Sequence, residues 1–188
     1  MLMHTQQKLK KSETTDLFTT ILSDVHNTKV SLVDHLPFIV SGAYAKDVKL
    51  LLLESGAVIN GQIIRLCLIE TQLGLNFITK PPMLNGCLNL EQYLKSNING
   101  KSSKSDVIIL SHLIIAEGIE IDAFKILIGL AKGIKPKSII KLLSLCCREA
   151  HRSKKVLKTM LEQITIIKSF YIYTKCYPYT LLYGLRCN

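Results

Sequence analysis

The feature that most constrains this chain is a separation of charge from grease between Lys125 and Lys158. That stretch holds ten of the 24 Lys and Arg residues and a single acid, Glu149, for a net charge of +9. The remainder is close to neutral, with 14 basic and 13 acidic residues. Placing Lys137 to Leu161 at about 100° per residue gathers Lys137, Lys141, Arg148, Arg152 and Lys155 into an arc of about 60°. Ser144, His151 and Lys158 extend that arc, while Leu142, Leu143, Cys146, Ala150, Leu157, Met160 and Leu161 fill the opposite half. A helix with one packed face and one solvated face divides its residues in this way. The spacing therefore predicts a helix over this segment, aliphatic side inward and basic side outward.

Ordinary solvated faces mix signs, because opposite charges at i,i+4 attract and like charges repel by up to about 0.5 kcal/mol per pair. The pairs 137/141 and 148/152 are like charges, as is 151/155 when His151 is protonated. A polyanion would offset that repulsion, which predicts a non-enzymatic nucleic-acid-binding accessory or regulatory protein. Lys135, Lys137, Lys141, Arg148, Arg152, Lys154, Lys155 and Lys158 would contact phosphates. Lysine meets phosphate as a point charge and reads no base, so binding would be largely independent of sequence. Lys125 to Leu142 also fits a helix-turn-helix spacing, with Gly133 at the turn. A second reading makes the chain a structural or interaction subunit of a larger viral or secretion-type assembly, docked on an acidic partner. A homo-oligomer and attachment to an anionic membrane surface are further partner readings, the membrane the weaker.

Along the chain, propensity and punctuation predict an α+β protein that is mainly helical. Residues 1–14 read as a flexible basic tail, 15–98 as a mixed α/β part, 99–105 as a loop or linker, and 106–188 as a helical part. Val30 to Val40 is β-branched and interrupted by Pro37, which suggests an edge strand or irregular segment. Lys46 to Glu54 reads as a short helix ending near Gly56. Ala57 to Glu70 contains Asn60-Gly61, a hairpin-turn dipeptide, although a helix from Asn60 fits equally. Leu73 to Thr79 alternates like a strand, and Leu88 to Lys95 reads as a short helix. Asp106 to Glu117 and Ile121 to Lys132 read as two helices, with Pro136 opening the next. Asp47 to Asn60 resembles the second helix and turn of an ankyrin repeat. Gln62 to Glu70 has no opening turn of a further repeat, so nothing is carried over from that family.

Catalytic chemistry has no visible signature: the phosphate-binding loop, GxGxxG, GxSxG and HExxH patterns are missing, and the five histidines are scattered. The expectation is no enzyme, no cofactor and no metal. Six cysteines without CxxC spacing, and the lack of a signal-peptide pattern at Met1 to Lys11, suggest reduced thiols and an intracellular location. No segment reads as a transmembrane helix. Phe170 to Tyr183 holds six of the twelve aromatics and alternates like strands, broken by Pro178; docking on the body or an oligomer contact is its leading reading.

Overall fold

The computed structural model describes residues 10–75, 102–133 and 135–176, with 166–176 as backbone only. Among the described residues there are four long helices: α1 Lys11–Gly42, α2 Lys46–Gln72, α3 Ser103–Ala131 and α4 Lys137–Cys176. Cross-links fix their directions. Lys29 on α1 pairs with Glu120 on α3, while Tyr44 and Ala45, just beyond α1, meet Asp106 at the start of α3. α1 and α3 are thus antiparallel. Gln62 reaches the Cys146 carbonyl at 3.3 Å, and Gln72 meets Ser138 at 3.4 Å, so α2 and α4 are antiparallel as well. With short links after α1 and α3, helices α2 and α3 run the same way, and residues 76–101 join opposite ends of the bundle. This is a four-helix bundle with one long crossover, its helices arranged around the axis as α1, α2, α4, α3.

The expected α+β class is corrected: no strand occurs among the described residues. Val30–Val40 lies wholly within α1, which carries Pro37 inside it. Proline removes the hydrogen bond to Val33, four residues back, and costs an isolated helix heavily. Here Pro37 faces outward while Ile39 is fully packed, so tertiary burial holds the helix through the defect. Asn60-Gly61 lies mid-helix in α2 rather than in a hairpin turn. Local β propensity is a weak prior once a long apolar face can be buried. The two helices read at 106–132 are one, with Gly118 inside it. The helix read at 137–161 is continuous and extends to Cys176, so Tyr171 and Tyr173 are helical rather than in a strand. The segments around Leu88–Lys95, Tyr177, Tyr179 and Tyr183 lie outside the described residues.

Gly133, at φ 93, ends α3 where a side chain would be strained, and Pro136 precedes α4. The α3–α4 turn therefore joins antiparallel neighbours packed along their length. A helix-turn-helix instead sets its two helices at about 90–120°.

The core has two apolar layers. One joins Phe18, Leu22 and Val25 to Leu66, Ile69, Phe124, Leu127, Ile139 and Leu143. The other joins Ile39, Val48 and Leu52 to Ile109, Leu110, Leu113 and Leu157. At Gly56 a Cβ would lie 2.3 Å from Leu36 Cδ2, so the missing side chain is what allows α1 and α2 to approach. Asp106, 1% exposed, accepts backbone hydrogen bonds from Tyr44 N at 2.7 Å and Ala45 N at 3.1 Å. It caps the start of α2, where Ala45 has no side-chain acceptor of its own.

Candidate functional site

Between the two apolar layers lies a belt of buried polar side chains. Lys29 on α1 is completely buried and donates to Glu120 on α3. Glu117 is one turn earlier on α3, 6% exposed, and Glu120 is 1% exposed. Burial alone would strip the proton from Lys29. The carboxylates of Glu120 and Glu117 outweigh it and raise the ammonium's pKa above its ordinary value. Burial pushes the Glu117 carboxyl up to about 7, against the pull of Lys29, with the negative charge of Glu120 adding to the rise. Glu117 Oε2 and Glu120 Oε1 have no protein partner. A void of about 10 Å³ touches both residues together with Ser55, room for one water at most.

One-crossover bundles include proteins that hold paired metal ions between Glu and Glu-x-x-His ligands on facing helices. These residues do not fit such a centre. Among the described residues, no three His, Cys, Asp or Glu side chains converge. The ammonium of Lys29 already supplies the positive charge that Glu117 and Glu120 face. The belt is an internal ion cluster.

A second polar group bridges α1 and α2 near the end of the belt. The Glu70 carboxylate accepts from His26 Nδ1, its oxygens at 2.9 and 3.0 Å, both residues being buried. His26 Nε2 is 3.7 Å from Cys67 Sγ. On the opposite flank of α2, Arg65 makes a two-pronged ion pair with Glu149 of α4, both contacts at 2.7 Å.

The outer surface of α2 is unusual. Leu50, Leu53, Ile64 and Leu68 are 49%, 54%, 62% and 49% exposed, on a helix whose Val48, Leu52, Ile59 and Leu66 are buried. At about 100° per residue the exposed set, with Ala57 and Gly61 between, forms a stripe on the side of α2 away from the core. The helix has two apolar faces. Its length and composition would allow it to cross a membrane, but a third of the relevant window is buried inside the bundle. A groove of about 380 Å³ runs beside the stripe between α2 and α4, lined by Leu51, Val58, Arg65, Arg152 and Val156.

The eight residues expected to contact phosphate are divided between the exposed face of α4 and half-buried positions. Lys137, Lys141, Arg148, Arg152, Lys155 and Lys158 are exposed on α4. Lys135 is half-buried, its Nζ 5.3 Å from the centre of the Phe18 ring. Lys154 turns toward α3, where its Nζ would lie 2.6 Å from a Cβ on Gly118 and its charge acts on Glu117. Arg152 lines the α2–α4 groove. The Lys29 cluster, the His26–Glu70–Cys67 group and the α2 stripe carried no local signal. Their members are far apart in sequence, or read as ordinary helix residues.

A family model described as a domain of unknown function, DUF892, matches residues 13–168. No curated protein matches the sequence. Among solved structures, the Escherichia coli stress protein YciF is similar, with a TM-score of 0.73 and 18% identity over 81% of this chain and 96% of that one. YcfI from Rhodopseudomonas palustris, described as a putative structural protein, has a TM-score of 0.71 and 19% identity over 85% of this chain and 98% of that one. These matches overturn the nucleic-acid reading and the viral or secretion-type subunit reading, since none of them points to either. The physical reason lies in α4: it is one wall of a bundle, packed lengthwise on antiparallel neighbours. Six of the eight side chains lie on its solvated face, Lys154 turns inward, and Lys135 lies ahead of the helix with its Nζ over the Phe18 ring.

Proposed function

Because this chain belongs to the DUF892 family, a domain of unknown function, its role must be sought in its surfaces, and we propose that it is a non-enzymatic, intracellular bundle protein that works by self-association through α2. The observation that carries this reading is the second apolar face of α2. A surface helix that buries one side against its own core gains nothing from leucine and isoleucine along the other unless something covers them. The descriptions of the two structural neighbours, a stress protein and a putative structural protein, accord with a role without turnover.

The stripe suits a second copy of the same chain. Leu50 to Leu68 spans about 27 Å at 1.5 Å per residue, with the small residues Ala57 and Gly61 at its middle. An antiparallel pair with its two-fold axis between those residues brings Leu50 against Leu68 of the second copy and Leu53 near Ile64 of the second copy. Glu54 then lies beside Arg65 of the second copy, on the same side of the seam. Symmetric contacts of this kind are how most homo-oligomers form. A lipid surface suits the stripe less well, because Glu54 would be carried into it. The seam covers a flat footprint of only about 300 Å² per copy, taking a helix as about 11 Å wide. A standard interface buries about 800 Å² per partner, so association is weak and concentration-dependent.

Sedimentation velocity on the full chain over a range of concentrations tests this reading. The native chain should shift toward dimer as concentration rises, and Ile64→Glu with Leu53→Glu should hold it monomeric with unchanged helicity. Equal association by native and double-variant chains would overturn the reading, as would a native chain monomeric at the highest concentration. Loss of acidic vesicle binding without any change in self-association would transfer the stripe to a lipid surface and overturn it too.

A further inference from the structure

We propose that Cys67, with His26 as its base and Glu70 orienting that base, is a site of covalent addition for soft electrophiles of the α,β-unsaturated carbonyl class. The three side chains come from two helices, His26 from α1 and Cys67 and Glu70 from α2, and are brought together only by the α1–α2 packing. A carboxylate only accepts hydrogen bonds, so the two close contacts from Glu70 place the hydrogen of His26 on Nδ1. That leaves Nε2 as an acceptor facing Cys67 Sγ at 3.7 Å, a distance suited to a sulfur donor. A nucleophile touching a base, which is itself held by a third group, is the arrangement that activates thiols and hydroxyls. Cys67 is partly exposed, whereas Cys146 and Cys147 are buried, so it is the most accessible of these three thiols. Cys67 lies about 90° around α2 from the middle of the apolar stripe, on the α1 side, so the site does not depend on self-association.

The electrostatics favour addition over a resting thiolate. Burial, and then the charge of Glu70, push the Cys67 thiol above its ordinary range. Lys29, one turn along α1 from His26, has its charge taken up by Glu120 and gives the thiol no cation. The thiol therefore rests protonated and needs the imidazole at the moment of attack. As sulfur bonds to the β-carbon, its proton passes to Nε2 and the C=C π electrons move onto the α-carbon and carbonyl oxygen as an enolate. The imidazolium then returns the proton to the α-carbon. One S–C bond and one C–H bond form, the S–H bond and the π bond are lost, and no oxidant or leaving group is required.

The probe is acrylamide, reacted with the intact chain between pH 6 and 9, with the rate at Cys67 read by peptide mass spectrometry. Native Cys67 should react about a hundredfold faster at pH 7 than in His26→Asn, the lower end of what a positioned base supplies. Its rate should depend on pH less steeply than in His26→Asn, where the rate should climb only with the thiol's own titration. Glu70→Gln should lie between the two and decides the question if His26→Asn fails to fold. A native rate that follows the thiol titration alone, or that both variants match within twofold, would overturn the proposal. So would a Cys67 that is modified only after the chain is unfolded.

Discussion

Replacing Lys29 by methionine tests the buried ion cluster most directly. Methionine keeps most of the volume of the side chain and removes the charge. Glu120 then loses its hydrogen-bonded partner, and Glu117 loses the cation that pulls its pKa down. Removing one partner of a buried pair typically costs about 3–5 kcal/mol, because the remaining charge is left uncompensated. The cost should depend on pH, with a direction fixed by the carboxylates. Above pH 7 Glu117 of the variant is under pressure to ionise without a cation beside it, and the full cost of about 3–5 kcal/mol should appear. Near pH 5 Glu117 holds its proton and stays neutral, so the cost should fall. Urea unfolding followed by circular dichroism at pH 5.5 and 8 measures both values. Adding Glu117→Leu and Glu120→Leu to Lys29→Met should recover most of the lost stability, since apolar replacement of a whole buried cluster is often neutral or better. A Lys29→Met variant within about 1 kcal/mol of the native chain at pH 8 would refute the reasoning, as would a cost that does not shrink on acidification.

The native chain itself should respond to Glu117. Its folded pKa of about 7 lies above the ordinary 4.5, so the folded state binds the extra proton; stability from this group is fully present below about pH 4.5 and is lost as pH rises through 7. The span corresponds to a loss on the order of 3 kcal/mol, which Glu117→Gln should largely abolish in a pH series of urea midpoints. Asp106→Ala leaves two backbone N–H groups at the start of α2 without their carboxylate and should cost about 1.5–3 kcal/mol by thermal or urea unfolding, with Asp106→Asn milder. Gly56→Val forces Leu36 and the α1–α2 contact apart and should cost about 1–3 kcal/mol in the same assay, whereas Gly61→Ala, with only ordinary contacts at its Cβ, should cost little.

Helical periodicity is legible from residue order wherever it meets a clean contrast. Basic and aliphatic residues separate sharply over Lys137–Leu161, and α4 runs through that segment as the spacing implies. Gly133 and Pro136 mark the α3–α4 turn, because a positive φ and a helix start each demand a residue type. The reading failed along α1 and α2. Val30–Val40, Pro37 and Asn60-Gly61 carry local strand and turn preferences of about 1 kcal/mol or less per residue, apart from proline, and bundle packing over 27 or more residues outweighs them. α2 also has apolar residues on two opposite sides, which blurs the helical period into a nearly continuous run. Tertiary structure alone decided the rest. A lysine reads as a surface residue until Glu120 and Glu117 are seen facing it from another helix, 91 residues on in the case of Glu120. His26 lies 41 residues from Cys67 and 44 from Glu70, so only the packing of α1 on α2 makes them neighbours. Charge and burial act through space, while periodicity reports only on one helix at a time.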